Sequence, residues 1–156
     1  MHPHQFKLIA LHDRPAPSTL PHGDNPAQIS AYYREHIETA DSYQPTVENA
    51  ALIFLSTRRK ITGWIQLGNG TLDTLLVHPR EIFRAVLLAD AAAFVMVHNH
   101  PSGDPSPSEA DIKITRELIA AAKFLKIELL DHLIFGHPQE GKGYVSLREL
   151  GYFYTT

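Results

Sequence analysis

The feature that most constrains the fold of this chain is a pair of short, entirely apolar runs, at residues 50–55 and 94–97. Runs of this length and composition are typical of β-strands that are buried on both faces. The segment between them that begins at Pro79 places four apolar side chains on one predicted helical face: Ile82, Phe83, Val86 and Leu87. Buried strands that alternate with amphipathic helices predict an α/β sandwich with a mixed sheet.

The remaining segments follow the same alternation. Asn25, Pro26 and Gln28 form a helix-start signal, with asparagine as the cap and proline in the first turn, and predict a helix to about residue 40. The other predicted helices cover about residues 79–90 and 107–126, and the predicted strands cover 50–55, 61–67, 72–77, 94–98, 128–135 and 144–147. Residues 1–24 are rich in proline and lack apolar periodicity, which predicts an N-terminal arm before a single domain at residues 25–156.

The chain contains no cysteine, and this restricts the chemistry that it can use. Disulfides and thiolate metal ligands are excluded, so any bound metal must be held by His, Asp or Glu. The absence of cysteine also fits a reducing compartment. No apolar run reaches the ~18 residues of a membrane span, and no secretory signal is recognisable. We therefore expect a soluble cytoplasmic protein with no membrane partner.

The charge of the chain disfavours nucleic acid as a partner. The formal net charge is −3 with neutral histidines, and DNA-binding domains show a basic stripe or patch. The compact basic run at residues 58–60 lies between two apolar stretches, where a solvated hairpin turn explains it.

A candidate metal site begins where the second apolar run ends. His98 and His100 are two residues apart, so on a strand both imidazoles point to the same side and can reach one point in space. Imidazole is a good ligand for zinc. Two histidines at this spacing are weak evidence alone, because surface histidines occur in the same pattern.

The segment after the histidines offers a third ligand. Ser106, Pro107 and Glu109 form a capping-box signal that accounts for a helix start without Ser108 or Asp111. Ser108 and Asp111 then project from one helical face, and the intervening loop can return that face to the strand end. In the alternative interpretation, which the sequence leaves open, Ser108 is the cap and Asp111 is its capping partner.

Three protein ligands leave one coordination position for water, which is typical of catalytic rather than structural zinc. Such a site also needs a general base that does not bind the metal. We favour Glu48 because it precedes the first apolar run, while Glu81 and Glu109 are explained by helix starts. A solvated carboxylate at the beginning of a strand remains the alternative for Glu48.

The segment from His98 to Asp111 resembles the HxHP…SxxD signature of the JAMM (MPN+) metalloproteases, and more narrowly their RadC-like branch. The resemblance extends over about residues 48–151. It includes the segments 70–72, 77–83, 130–136 and 144–147, in the order of the family.

The resemblance implies a cytidine-deaminase-like JAB/MPN fold, a three-layer α/β sandwich with a mixed sheet between helices. It implies one Zn²⁺ per chain on His98, His100 and Asp111, with Glu48 as general base and Ser108 as hydrogen-bond donor to the oxyanion. The implied activity is hydrolysis of amide bonds in a peptide or protein substrate. Longer RadC-like proteins often carry an N-terminal helix-hairpin-helix region, which is not recognisable here.

Two other functions compete with a zinc peptidase or isopeptidase. One is an accessory role in DNA repair or processing, and the other is a zinc-binding interaction domain without catalysis. Among the remaining polar residues, we expect His132 to be a core or supporting residue, His78 to precede a helix and Asp104 to form a turn. The pattern gives no role for Asn99 and no oligomeric state.

Overall fold

The computed structural model describes residues 19–70, 78–137 and 142–154. Its helices are α1 (Pro26–Tyr32), α2 (Pro79–Leu88) and α3 (Glu109–Leu125), and α1 continues into a π-helical segment, Tyr33–Ile37. Its strands are β1 (Asn49–Leu55), β2 (Ile61–Asn69), β3 (Ala93–Asn99), β4 (Glu128–Phe135) and β5 (Tyr144–Ser146). The strand predicted at residues 72–77 lies outside the described residues, as does most of the proline-rich segment 1–24, so the division at residue 24 stays a prediction.

The strands form one five-stranded mixed sheet in the order β2-β1-β3-β4-β5. The pair β3–β4 is parallel, and the other three pairs are antiparallel. Every residue of β1 and β3 is buried, as expected for central strands that are covered on both faces. The mixed sheet and the doubly buried runs predicted from the sequence are confirmed.

Helices cover both faces of the sheet, so the fold has three layers. On one face, α1 and the π-helical segment pack on alternate residues of the central strands, including Ile53 and Val95. On the other face, α2 and α3 pack on the residues between them, including Leu52 and Met96. This alternation follows from the two-residue period of a strand, and it confirms the predicted three-layer sandwich.

The structure corrects the predicted limits of two helices. The Asn25 side chain accepts the backbone N–H of Gln28, as predicted, but the helical segment ends at Ile37 rather than near residue 40. In α2, the predicted buried face keeps three of its four members, while Leu87 is 58% exposed. The helix ends at Leu88, short of the predicted end at about residue 90, and Leu87 lies in its last turn.

The start of α3 is the correction that bears on function. The prediction placed the cap at Ser106 and the first helical residue at Pro107, whereas the structure places the cap at Ser108 and begins the helix at Glu109. Asp104 accepts the backbone N–H of Ser106, so the preceding residues form a turn and an extended segment instead. The alternative left open by the sequence, with Asp111 as the capping partner of Ser108, is the one that the structure adopts.

The fold brings three chain segments to one end of the sheet. The beginning of β1, the end of β3 and the first turn of α3 meet there, and each carries candidate site residues. In the part of the chain that the structure describes, no helix has the length and apolar character needed to cross a membrane.

Candidate metal centre

The two histidines of the predicted site converge at the end of β3. His98 is fully buried in the strand, and His100 follows directly after the strand with a side chain that is 14% exposed. Their Nε2 atoms lie 3.1 Å apart. The expected convergence of two side chains spaced two residues apart is therefore present.

Asp111, in the first turn of α3, completes the cluster. One carboxylate oxygen lies 3.1 Å from Nε2 of His98, and the other lies 3.5 Å from Nε2 of His100. Asp111 is only 1% exposed. The three residues offer ligand atoms that all lie within 4.8 Å of one another, so the group can hold a metal ion.

The spacing of these atoms fits zinc. Zn–N and Zn–O bonds of ~2.0–2.1 Å place tetrahedral ligand atoms about 3.3 Å apart, and the three separations above are 3.1, 3.1 and 3.5 Å. Two neutral imidazoles and a carboxylate are also a ligand set that zinc accepts. The residues present therefore fit the metal that the sequence predicts.

The electrostatics of the cluster favour an anionic Asp111. Burial raises the pKa of its carboxyl group, but hydrogen bonds from His100, His98 and Ser108 outweigh burial and hold the pKa far below its usual range. The same hydrogen bond to Asp111 raises the pKa of His100 against the opposing effect of burial. In the absence of metal, a proton on His100 can therefore supply the positive charge that a metal ion would supply beside Asp111.

The orientation of His100 is fixed by the loop before α3. Its Nδ1 lies 2.8 Å from the backbone carbonyl oxygen of Asp104, and a carbonyl only accepts, so Nδ1 carries the hydrogen. In the neutral ring, Nε2 then presents its lone pair to the cluster. Gly103 adopts a φ of 86° in this loop, a conformation that glycine favours. Asp104 forms the predicted turn, and its carbonyl also orients the candidate ligand His100.

Glu48 lies next to the cluster, at the residue before β1. Ala50 pairs with His98 in the antiparallel β1–β3 register, and extending this register by two residues places Glu48 across from His100. The negative charge of Glu48 contributes to the raised pKa of His100, after the larger effects of Asp111, burial and the Asp104 carbonyl. Glu48 is therefore close to the candidate ligands without belonging to the cluster.

Asn99 holds the backbone on both sides of Glu48. Its Oδ1 accepts the backbone N–H of Asn49 at 2.8 Å, and its Nδ2 donates to the carbonyl of Val47 at 3.1 Å. The N–H of Gly70 donates to the carbonyl of Glu48 itself. Asn99 points to the opposite face from the histidines beside it, and no local pattern indicates this role because its partners lie about 50 residues earlier.

Ser108 is linked to Asp111 by a reciprocal capping box. Its backbone N–H and its hydroxyl each donate to the Asp111 carboxylate at 2.7 Å, while the Asp111 N–H donates to the Ser108 hydroxyl. Capping does not exclude metal binding, because the other Asp111 oxygen faces His98. The oxyanion role of Ser108 stays a prediction.

His132 and Thr115 are the neighbours of His98 behind the cluster. Nε2 of His132 lies 3.0 Å from Nδ1 of His98, and the hydroxyl of Thr115 lies 2.6 Å from Nδ1 of His132. Burial, reinforced by His98, lowers the pKa of His132 to about 3, so the ring is neutral. The predicted supporting position of His132 is confirmed, whereas Thr115 was missed, although its four-residue spacing from Asp111 was a usable signal.

The other polar candidates lie apart from the cluster. His78 is exposed and occupies the cap position of α2, as predicted. Glu81 forms an ion pair with Arg84 in the first turn of α2, and Glu109 is an exposed residue at the first position of α3.

A cleft of about 420 Å³ opens beside His100. Its lining includes Arg34, whose guanidinium lies 5.4 Å from the centre of the Phe135 ring and donates to the Gly136 carbonyl. Its lining also includes Tyr43 and Pro45. The cleft leads from the candidate ligands across an aromatic and proline-lined surface.

A mixed α/β sandwich with a His-His-Asp group at one end of its sheet defines a class of metal-binding domains. A family model described as the RadC-like JAB domain matches residues 23–152, and the chain belongs to this family. The family resemblance seen in the sequence is thereby confirmed.

Curated relatives agree with this assignment. The chain is 42% identical over 106 residues, 68% of its length, to a UPF0758 protein of Caldanaerobacter subterraneus. It is 43% identical over 107 residues, 69% of its length, to the UPF0758 protein YsxA of Bacillus subtilis. The aligned regions cover 44% and 45% of these relatives, so the chain spans less than half of their length. Their names specify no activity.

Proposed function

We propose that this chain is a zinc-dependent hydrolase that cleaves amide bonds, as a metallopeptidase or isopeptidase. The observation that carries the proposal is the convergence of His98, His100 and Asp111, with ligand atoms within 4.8 Å of one another. Three protein ligands rather than four are typical of catalytic zinc. Membership of the JAB domain family supports a metal-dependent hydrolase and also a role related to DNA repair.

Each neighbouring residue has a chemical task in this proposal. A zinc ion in the cluster would polarise the substrate carbonyl and lower the pKa of its water to ~7. Glu48 accepts the proton of the attacking water and delivers it to the leaving amine, because it lies near His100 without joining the cluster. Ser108, whose hydroxyl hydrogen points to the Asp111 carboxylate in the structure, would turn that hydrogen to the carbonyl oxygen of the substrate as negative charge develops there.

The cleft beside His100 supports a peptide as the substrate. Its volume of about 420 Å³ is that of a ligand-binding cleft, and its walls combine aromatic and proline surfaces with Arg34 and Glu38. Arg34 is already bonded to Glu38 and to two backbone carbonyls. It therefore acts as a wall of the cleft rather than as a free cation for an acidic substrate.

The experiment that tests this function separates the base from the ligands. Glu48→Gln preserves shape and removes the basic oxygen, so zinc content and melting temperature should match the unmodified chain. Cleavage of a library of linear and lysine-branched peptides should fall by ~10²–10⁴, the usual contribution of general acid–base catalysis. Asp111→Asn should instead lose zinc, because a neutral group replaces an anionic ligand.

Glu109→Gln is the matched control, since Glu109 is an exposed carboxylate one residue beyond Ser108. It should retain both zinc and activity. Undiminished hydrolysis by Glu48→Gln would show that the base lies elsewhere. A chain that binds one zinc and cleaves no peptide would favour the interaction-domain alternative.

The DNA-related alternative has its own measurement. With a net charge of −3, binding of duplex DNA should be weak and should disappear at physiological salt, because phosphate contacts depend on basic residues. Fluorescence anisotropy at low and physiological salt tests this expectation. Tight binding that resists salt would favour the DNA-related role over amide hydrolysis.

A further inference from the structure

We propose that His132 and Thr115 are positioning residues that fix the tautomer of His98, so that its Nε2 always presents a lone pair to the metal. The inference rests on the proposed role of His98 as a ligand and does not depend on which bond the enzyme cleaves.

The residues form a closed hydrogen-bonded path through the protein interior. The Thr115 hydroxyl lies 2.6 Å from the backbone carbonyl oxygen of Asp111 and 2.6 Å from Nδ1 of His132. Nε2 of His132 lies 3.0 Å from Nδ1 of His98. His98, Thr115 and His132 are each 0% exposed. The path therefore begins and ends at Asp111, which contributes its carbonyl to one end and its carboxylate to the other.

With a metal ion between Nε2 of His98 and the Asp111 carboxylate, the direction of each hydrogen bond follows from the remaining obligate acceptor in the path, the Asp111 carbonyl. The Asp111 carbonyl can only accept, so the single hydroxyl hydrogen of Thr115 points to it. The Thr115 oxygen must then accept a hydrogen from Nδ1 of His132. A neutral ring with hydrogen on Nδ1 has a lone pair on Nε2, and that lone pair accepts the Nδ1–H of His98. Nε2 of His98 is left without a hydrogen.

The opposite arrangement is costly. If the Thr115 hydrogen pointed to His132, two oxygen atoms would face each other at 2.6 Å without a hydrogen between them. An unmade hydrogen bond in a buried position costs about 1–3 kcal/mol. Among the described residues, every buried side-chain nitrogen or oxygen has a partner. The arrangement that satisfies the Asp111 carbonyl therefore leaves the contact between Nε2 of His98 and the Asp111 carboxylate as the position for the metal ion.

The two histidine ligands are thus oriented by different means. His100 donates its Nδ1–H to a backbone carbonyl in an exposed loop, whereas His98 donates to a second histidine in the interior. Residues that orient a metal-bound histidine usually contribute 10–100-fold to affinity. The interior path also connects three elements, because His98 lies on β3, His132 on β4 and Thr115 on α3.

The test compares two substitutions at Thr115. Thr115→Val keeps the branched shape and removes the hydroxyl, and should weaken zinc affinity by ~10–100-fold in competition with a chelator. Thr115→Ser keeps the hydroxyl and should bind zinc as the unmodified chain does. Melting temperatures of the zinc-free proteins are measured in parallel. Equal zinc affinity for Thr115→Val and the unmodified chain would overturn the proposal.

A second measurement needs no substitution. Two-bond ¹⁵N–¹H correlation spectra of the zinc-loaded chain report the tautomer of each histidine, and should show hydrogen on Nδ1 of both His98 and His132. A hydrogen on Nε2 of His132 would refute the proposal even if Thr115→Val fails to fold. Zinc binding without peptide cleavage would count against the proposed function alone, since neither readout depends on catalysis.

Discussion

Ser108 connects the beginning of a helix to a candidate metal ligand. Its hydroxyl accepts the N–H of Asp111 and donates to the Asp111 carboxylate. Ser108 therefore satisfies a backbone N–H in the first turn of α3 and also orients the carboxylate that faces His98 and His100. A side chain with these two contacts affects both folding and chemistry. Stability and activity must therefore both be measured for a substitution at Ser108.

Ser108→Ala is expected to reduce stability as well as activity. Loss of a helix cap costs about 1 kcal/mol, so urea unfolding of the zinc-free chain should shift to lower concentration. Hydrolysis should fall by ~10²–10³, as for one oxyanion donor. Ser108→Thr retains the hydroxyl and serves as the control for both measurements. A Ser108→Ala protein as stable as the unmodified chain would contradict the capping role.

At the scale of elements, the geometry of the site depends on how β1 is aligned with β3. Asn99 reaches from the end of β3 to the segment before β1 and bonds to Val47 and Asn49. Asn49 in turn accepts the N–H of Gln44 and donates to its carbonyl. Glu48 lies between two anchored residues, so the position of the candidate base is set by a contact between strands.

Asn99→Leu is expected to displace Glu48 while the ligands remain in place. Zinc content should be preserved, and kcat should fall by up to ~10²-fold, the cost of a misplacement of about 1 Å. The buried backbone N–H of Asn49 loses its acceptor, which should cost about 1–3 kcal/mol in urea unfolding. Asn69→Leu, on the exposed end of β2, is the matched control. Unchanged kcat in Asn99→Leu would show that Glu48 does not need this anchor.

At the scale of the whole molecule, the histidines of the interior link stability to pH. In the metal-free chain, the raised pKa of His100 adds stability that is fully present below its unfolded pKa of ~6.5 and is lost as pH rises through the raised value. His132 acts in the opposite sense, because its pKa of about 3 means that the unfolded chain alone gains a proton as pH falls below ~6.5. Metal-free stability from these two groups is therefore greatest near pH ~6.5.

Zinc should stabilise the molecule more as pH rises. The ion takes the place of the His100 proton, so metal and proton compete below the raised pKa. The increase in melting temperature between EDTA and added zinc should be larger at about pH 8 than at about pH 5.5. In EDTA, His100→Gln should lose the decline in melting temperature on the alkaline side. A zinc effect that does not vary with pH would refute the assignment of His100 as a ligand.

Much of the fold was predictable because it depends on local patterns. The apolar runs at β1 and β3 determine two strands that must be covered on both faces. The two-residue spacing of His98 and His100 determines that they share a side, whatever packs around them. Asp111 followed from the distance that a short loop can span. These conclusions need only the period of a strand or helix and the chemistry of the residue types.

The tertiary structure decided everything that depends on which distant segments meet. Leu129 packs towards α2 and α3, and His132 contacts Thr115 of α3. Residues three apart on a regular strand would point to opposite faces. Leu129 and His132 nevertheless face the same layer of helices, and an irregularity in the β3–β4 register, between Phe94 and Val95, accompanies this exception.

The tertiary structure also decided the contacts of Asn99, whose partners lie 50 residues earlier, and the start of α3 at Glu109. Ser106 and Ser108 both satisfy the local rules for a cap, and local propensity does not distinguish them. Ser108 caps the helix in a structure where its partner Asp111 also faces two histidines from another element. Local sequence determined which side chains could form the site, and packing between strands and helices decided their partners, because those contact energies arise only when separate segments come together.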